Sequence, residues 1–151
     1  GASFYDKDNK EVGLGGKVLK DIYTINTSDR IKGLDECTFK VACDVKNPLY
    51  GRQGAAYIYA PQKGATEKEV AILDGGLKNF AGVAEAFLGK DYSSCEGAGA
   101  AGGLGFALVA FMGARLKSGI GTVLELCSFE KKAENVYNLT MAELLDEEEE
   151  I

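Results

Sequence analysis

The chain of 151 residues contains no histidine. That removes the commonest general base and the commonest metal ligand together, so any acid–base chemistry falls to carboxylates, Lys, Tyr or Cys. Only two prolines are present, Pro48 and Pro61, and with 46% apolar and 26% charged residues this argues against a disordered chain. Lys and Arg are nowhere in excess and the net charge is −6, which argues against a nucleic-acid surface. No two of Cys37, Cys43, Cys95 and Cys127 have C-x-x-C spacing, so a zinc site or a thioredoxin-type pair is not indicated. These cysteines lie in apolar stretches, and buried free thiols in a reducing compartment are expected. No apolar run is long enough to cross a bilayer, and the opening Gly1-Ala2-Ser3-Phe4-Tyr5 shows no targeting segment; a cytoplasmic location is expected. The length suits one domain with its own core, and no repeat or linker divides it.

What the chain has in quantity is glycine, 20 residues, many of them clustered. The organising stretch is Val41 to Ala65, which carries both prolines. Phe39 to Val45 and Ala55 to Ala60 read as short apolar strands. Between them Asn47-Pro48, Gly51 and Gly54 force a loop. Polar and charged residues at the ends of apolar strands serve equally as an ordinary connection or as a ligand site.

Elsewhere, Phe4-Tyr5 and Glu11-Val12 flank a polar turn, Asp6 to Lys10, that predicts a hairpin; the calcium-loop glycine and closing glutamate are missing. A helical turn is expected at Lys17 to Lys20, a strand within Asp21 to Thr27, and a turn capped by Ser28-Asp29. Thr66 with Glu69 predicts a capping box, followed by a helical stripe of Val70, Leu73, Leu77, Phe80, Ala81, Ala84, Phe87 and Leu88, with Gly89 closing the helix. Gly75-Gly76 inside it reads as a tolerated pair in a packing helix.

Cys95 to Gly105 contains a literal G-x-G-x-x-G at 97, 99 and 102. No strand precedes it, which excludes a dinucleotide fingerprint. It predicts a glycine turn feeding a helix from about Ala101 to Met112, with Leu104, Leu108, Val109 and Phe111 buried. Its amides suit a phosphate or carboxylate, and its small residues equally suit tight packing on a sheet. Ile120 to Leu126 is either a short strand or the start of a helix, and Phe129 to Tyr137 reads as amphipathic helix. A helix at Met141 to Leu145 fades into five adjacent carboxylates, expected to be a solvated tail.

Three segments together resemble the bacterial-type glycerate kinases: Val41-Ala-Cys-Asp-Val-Lys-Asn-Pro-Leu49, Ala60-Pro-Gln-Lys-Gly-Ala65, and Gly97-Ala-Gly-Ala-Ala-Gly-Gly-Leu-Gly105. The opening hairpin with Gly15-Gly16 and the stretch from Lys117 to Ile120 match in the same order, so the resemblance covers roughly residues 2 to 130. Members of that family are more than twice this long. Their Asp-Ser-Phe-Lys, Asp-Gly-Gly-Glu-Gly-Thr, Gly-Gly-Ser-Ala-Thr and Thr-Gly-Glu-Gly motifs are absent here. The resemblance therefore implies a central piece, residues 1–134, mostly the family's second domain, with residues 135–151 as a divergent acidic tail. It implies a mixed α/β fold, a small sheet with packed helices.

The implied reaction transfers the γ-phosphoryl group of ATP, with magnesium, to a glycerate hydroxyl. Such transfer needs a carboxylate at the hydroxyl, cations at the phosphates and backbone donors around them. By resemblance Asp44 is the candidate carboxylate and Lys63 the candidate cation. Asn47, Arg52 and Gln62 are candidate substrate contacts, and Gly97, Gly99, Gly102 and Gly103 candidate donors to the nucleotide; no metal ligand is assigned. Glycerate and ATP are the implied partners, together with the partner domain that completes the cleft; neither nucleic acid nor membrane is expected. The isolated piece is expected to be inactive. Two alternatives stand beside this: a free-standing binding or regulatory module that keeps the fold without turnover, and an inactive remnant whose exposed apolar patch drives homodimerisation.

Overall fold

The computed structural model describes residues 1–137. Strand β1 (Ser3–Tyr5) pairs antiparallel with β2 (Thr24–Asn26), Phe4 opposite Ile25. The turn after β1 forms because Asp6 Oδ1 accepts the amides of Asp8 and Lys10, each at 2.9 Å, and Asn9 takes φ 59°. A 3₁₀ turn over Gly16–Asp21 follows, and it trims the expected strand of residues 21–27 to β2. Asn79 holds that turn, its Nδ2 donating to the carbonyls of Leu19 at 3.0 Å and Ile22 at 2.9 Å. The helical turn expected from Arg30 lies instead at Leu34–Glu36. Strand β3 (Lys40–Ala42) is shorter than the expected run to Val45.

Ala55 to Ala60 is not a strand. It forms helix α1 (Ala55–Tyr59), which buries Ala55 and Ala56 and leaves Ile58 exposed. A short apolar run carries no period of its own; here the turn at Gly51–Gly54 delivers it as a helix against the core. A 3₁₀ turn at Pro61–Lys63 ends in left-handed Gly64. Helix α2 (Glu67–Leu88) starts at the expected capping box and closes on left-handed Gly89. Gly76 lets α2 and the 3₁₀ turn of Gly16–Asp21 approach closely there. A Cβ at that position would lie 3.3 Å from both Leu19 Cβ and the Lys20 nitrogen.

Helix α3 (Leu104–Met112) begins three residues later than expected, because Ala101 and Gly102 of the preceding 3₁₀ turn, Ala100–Gly102, and Gly103 after it all take positive φ (50°, 76° and 107°). Its buried members are Gly105, Phe106 and Ala110, whereas Leu104, expected inside, is 55% exposed, and Leu108, Val109 and Phe111 are half-buried. The α2 stripe is buried as expected except Phe87, which is exposed, and Leu73 and Leu88, which are half-buried. Strand β4 (Arg115–Lys117) pairs with β3, the Arg115 amide donating to the Phe39 carbonyl at 2.9 Å.

The core sits between α2, α3 and the hairpin. Phe80 meets Phe4 and Phe106 edge-on at 5.6 Å and stacks on Phe111 at 6.1 Å. Phe106 is 1% exposed, and burial of such a ring contributes roughly 1.5–3 kcal/mol. The cysteines are free, as expected, but not buried: Cys37 and Cys127 are exposed, Cys43 and Cys95 half-buried.

Contacts divide the chain into residues 1–116, which hold this core, and a second unit from Lys117 on. In the second unit, helix α4 (Gly119–Leu126) resolves the strand-or-helix alternative, capped by Ser118, whose Oγ accepts the Gly121 amide at 3.1 Å. Residues 129–137 are helical, as expected. The helix expected at Met141 to Leu145 and the acidic tail lie outside the described residues.

Candidate functional site

Two of the family-like segments meet backbone to backbone. The Gly99 amide donates to the Asn47 carbonyl at 2.9 Å, and the Leu49 amide to the carbonyl of buried Ser93 at 2.9 Å. A Cβ on Gly99 would lie 2.3 Å from the Pro48 oxygen, and one on Gly105 would lie 2.1 Å from the Gly97 oxygen. These glycines are thus required by close approach rather than by turn geometry. With its amide engaged inside the fold, Gly99 presents no donor to a ligand, a correction to its expected role. Gly97 is likewise buried, with Cys43 Sγ and Val45 O at 3.0 Å and 3.2 Å from where its Cβ would be.

Asn47 is fixed at three points. Besides its carbonyl, its Nδ2 donates to the Gln53 carbonyl and its Oδ1 accepts from the Tyr59 hydroxyl, both at 2.9 Å. Asp74 does the same for the far side of the loop, Oδ1 accepting the Gly51 amide at 2.8 Å. Neither Tyr59 nor Asp74 stands out in the sequence. The only available signal was an acid placed directly before a glycine pair inside a helix.

Two clefts flank the Ala100–Gly102 turn. One, of about 280 Å³, lies between Val41–Val45 and the start of α3, with Asp44, Ala101 and Leu104 on its walls. The other, of about 190 Å³, lies between α1 and α2, with Tyr59, Lys63 and Gly102 on its walls. Asp44 and Lys63 are both exposed and line different clefts on either side of one turn. Gln62 is exposed beside Lys63. Gly103 packs on Leu49, and its amide donates to the Ala100 carbonyl at 3.1 Å. Arg52 stands apart, stacked over the Tyr57 ring at 5.1 Å.

The electrostatic shift resolved among the described residues is that of Glu69, in the first turn of α2. The Thr66 amide first, then the Thr66 hydroxyl and Lys17, hold its carboxyl below the ordinary value. Among the described residues no three acidic, cysteine or histidine side chains gather as a metal site. Sites for drug-sized ligands run from about 300 to 1,000 Å³, and neither cleft at the glycine turn reaches that range. The largest depression, about 800 Å³ along β2 and α2, carries no carboxylate and none of the expected site residues.

The described residues form a mixed α/β unit in which one glycine-rich turn separates a cleft lined by an acid from a cleft lined by a lysine. Residues 1–143 match the model of the glycerate kinase family, further toward the C-terminus than the motifs alone reach, and the chain belongs to that family. It is 43% identical over 141 residues to Glycerate 2-kinase of Escherichia coli, covering 93% of this chain and 36% of that protein. It is 46% identical over 124 residues to Glycerate kinase of Halalkalibacterium halodurans, covering 82% and 33%. The crystal structure described as glycerate kinase 2 from Salmonella typhimurium superposes with a TM-score of 0.80 at 41% identity, covering 83% of this chain and 33% of that one. The mixed α/β expectation holds. The chain spans about a third of the length of the relatives it matches.

Proposed function

We propose that this chain supplies the glycerate side of a glycerate kinase site, which phosphorylates a glycerate hydroxyl from ATP with magnesium once the remaining two-thirds of a family-length protein is present. The observation that carries the reading is the placement of Asp44 and Lys63 on opposite sides of the Ala100–Gly102 turn, where all three family-like segments converge. Asp44 orients the acceptor hydroxyl or takes its proton, and Lys63 contacts a phosphate or the glycerate carboxylate. Gln62 lies beside Lys63 as a further polar contact, and Gly102 presents backbone to the anion, whereas the Gly103 amide is engaged by the Ala100 carbonyl. Asn47 fixes the loop that carries Asp44. Arg52, held on Tyr57, is the outermost candidate. The setting is cytoplasmic.

The test is ADP release from ATP with glycerate and magnesium. It compares this chain alone with a chimera in which it replaces the matching third of the Escherichia coli relative. Turnover by the chimera alone supports the reading. Turnover by the isolated chain overturns its incompleteness, and a folded chimera that binds no glycerate overturns the assignment of the site.

A further inference from the structure

Helix α2 carries Asp74, Gly75 and Gly76 in succession at its middle. All three are poor helix formers, and such a run inside a well-capped helix points to a task other than helix stability. Gly76 serves close approach. Asp74 reaches out of the helix: its half-buried carboxylate accepts the Gly51 amide at 2.8 Å, from a turn 23 residues earlier. Gly51 holds φ 92° there, its carbonyl accepts the Gly54 amide at 2.8 Å, and the Ala55 amide donates to the Leu49 carbonyl at 3.0 Å. That turn launches α1. Helix α1 is five residues long and has no side-chain cap, so its direction is set by the turn that starts it.

The two helices are opposite walls of the cleft that holds Lys63. Leu73 and Leu77, on either side of Asp74 along α2, form one wall, and Ala56, Tyr59 and Lys63 belong to the other. Apolar packing between such walls is non-directional and permits sliding, whereas the hydrogen bond from Gly51 to Asp74 fixes a distance and an angle. We infer that Asp74 is a positioning residue for Lys63: its carboxylate ties the start of α1 to α2 and so sets where the turn Pro61–Lys63 presents the lysine amine. Asp74 itself lines neither cleft at the glycine turn, so it acts through Lys63 and not on the ligand. Small displacements of such a group are costly, because binding and reaction depend on its alignment. The inference rests on the proposed role of Lys63 and adds the residue that holds it in place.

The test uses Asp74→Ala and Asp74→Asn, each in the isolated chain and in the chimera with the Escherichia coli relative. Asparagine keeps an acceptor oxygen for the Gly51 amide; alanine does not. In the isolated chain, followed by amide NMR, Asp74→Ala should speed exchange at Gly51 about tenfold or more and move the signals of residues 55–63, while Asp74→Asn leaves both near the parent. In the chimera, Asp74→Ala should raise about fivefold or more the KM of the substrate whose KM Lys63→Ala raises, with kcat within about twofold, and Asp74→Asn should restore the parent KM. With Lys63→Ala already present, Asp74→Ala should add nothing further to that KM, because the two act as one unit. A folded Asp74→Ala chimera with the parent KM overturns the inference even where its Tm is lower, since that is the result of a purely structural tie. Additive KM effects overturn it as well, as do unmoved signals. A Lys63→Ala chimera with every KM unchanged removes the proposed role of Lys63 first, and the inference with it. Where Asp74→Ala does not fold, Asp74→Glu, which keeps the charge and moves the acceptor by one methylene, carries the same KM comparison.

Discussion

The amide of Gly99 and the carbonyl of Asn47 meet at 2.9 Å, joining the glycine-rich turn to the loop that follows β3. Through this one bond two segments roughly fifty residues apart in sequence become one wall. The contact leaves no space for a side chain on Gly99, so its integrity can be read from stability.

Gly99→Ala places a methyl group 2.3 Å from the Pro48 oxygen. Overpacking against backbone costs about 3 kcal/mol or abolishes folding. Urea unfolding of the purified variant is the check; a midpoint equal to the parent's would show that the junction is not tight.

Tyr59→Phe removes the hydroxyl that donates to Asn47 Oδ1. A partly buried acceptor then loses its partner, and a loss of about 1–2 kcal/mol is expected. Asn47→Ala should cost more, since it also removes the donor to Gln53. Denaturant midpoints of the two variants rank them.

Gly75 and Gly76 are neighbours with different expected tolerance of a side chain. Space at Gly75 is open, so Gly75→Ala in the helix interior should stabilise by up to about 1 kcal/mol. Gly76→Ala brings a Cβ to 3.3 Å from Leu19 and Lys20, so it should stabilise less than Gly75→Ala. Thermal unfolding of the pair measures both.

Thr66→Ala removes the helix cap of α2 and should cost about 1 kcal/mol. Glu69, its partner, has a folded-state pKa below the ordinary 4.5, so its ionised form favours the fold. That contribution is complete above the unfolded value and is lost as pH falls through the lowered folded value. Stability should therefore drop on acidification below about pH 4.5, and Glu69→Gln should flatten that drop; a pH series of unfolding midpoints decides it.

In the chimera, Asp44→Asn should lower kcat by about a hundredfold or more, as expected for loss of a general base. Lys63→Ala should raise the KM for glycerate or ATP. Steady-state kinetics separate the two, and an Asp44→Asn chimera with unchanged kcat would remove Asp44 from the chemistry.

Much of this was legible in the sequence because it is local. The capping box at Thr66 and Glu69, the closure at Gly89 and the Asp6 turn each involve hydrogen bonds within a few residues, so residue type and spacing determine them. The three glycine- and proline-bearing segments likewise carry enough pattern to identify the family. Only the tertiary structure decided what those residues touch. Ala55 to Ala60 became helix because the loop before it and the core behind it set its direction, which a six-residue apolar run does not encode. Gly99 turned out to serve close approach to Pro48 rather than a ligand, and Leu104 faces outward. Which side of an all-apolar helix is covered depends on neighbours distant in the chain. The pairing of Tyr59 with Asn47 and of Asp74 with Gly51 has the same origin: a contact between segments exists only once packing brings their backbones together.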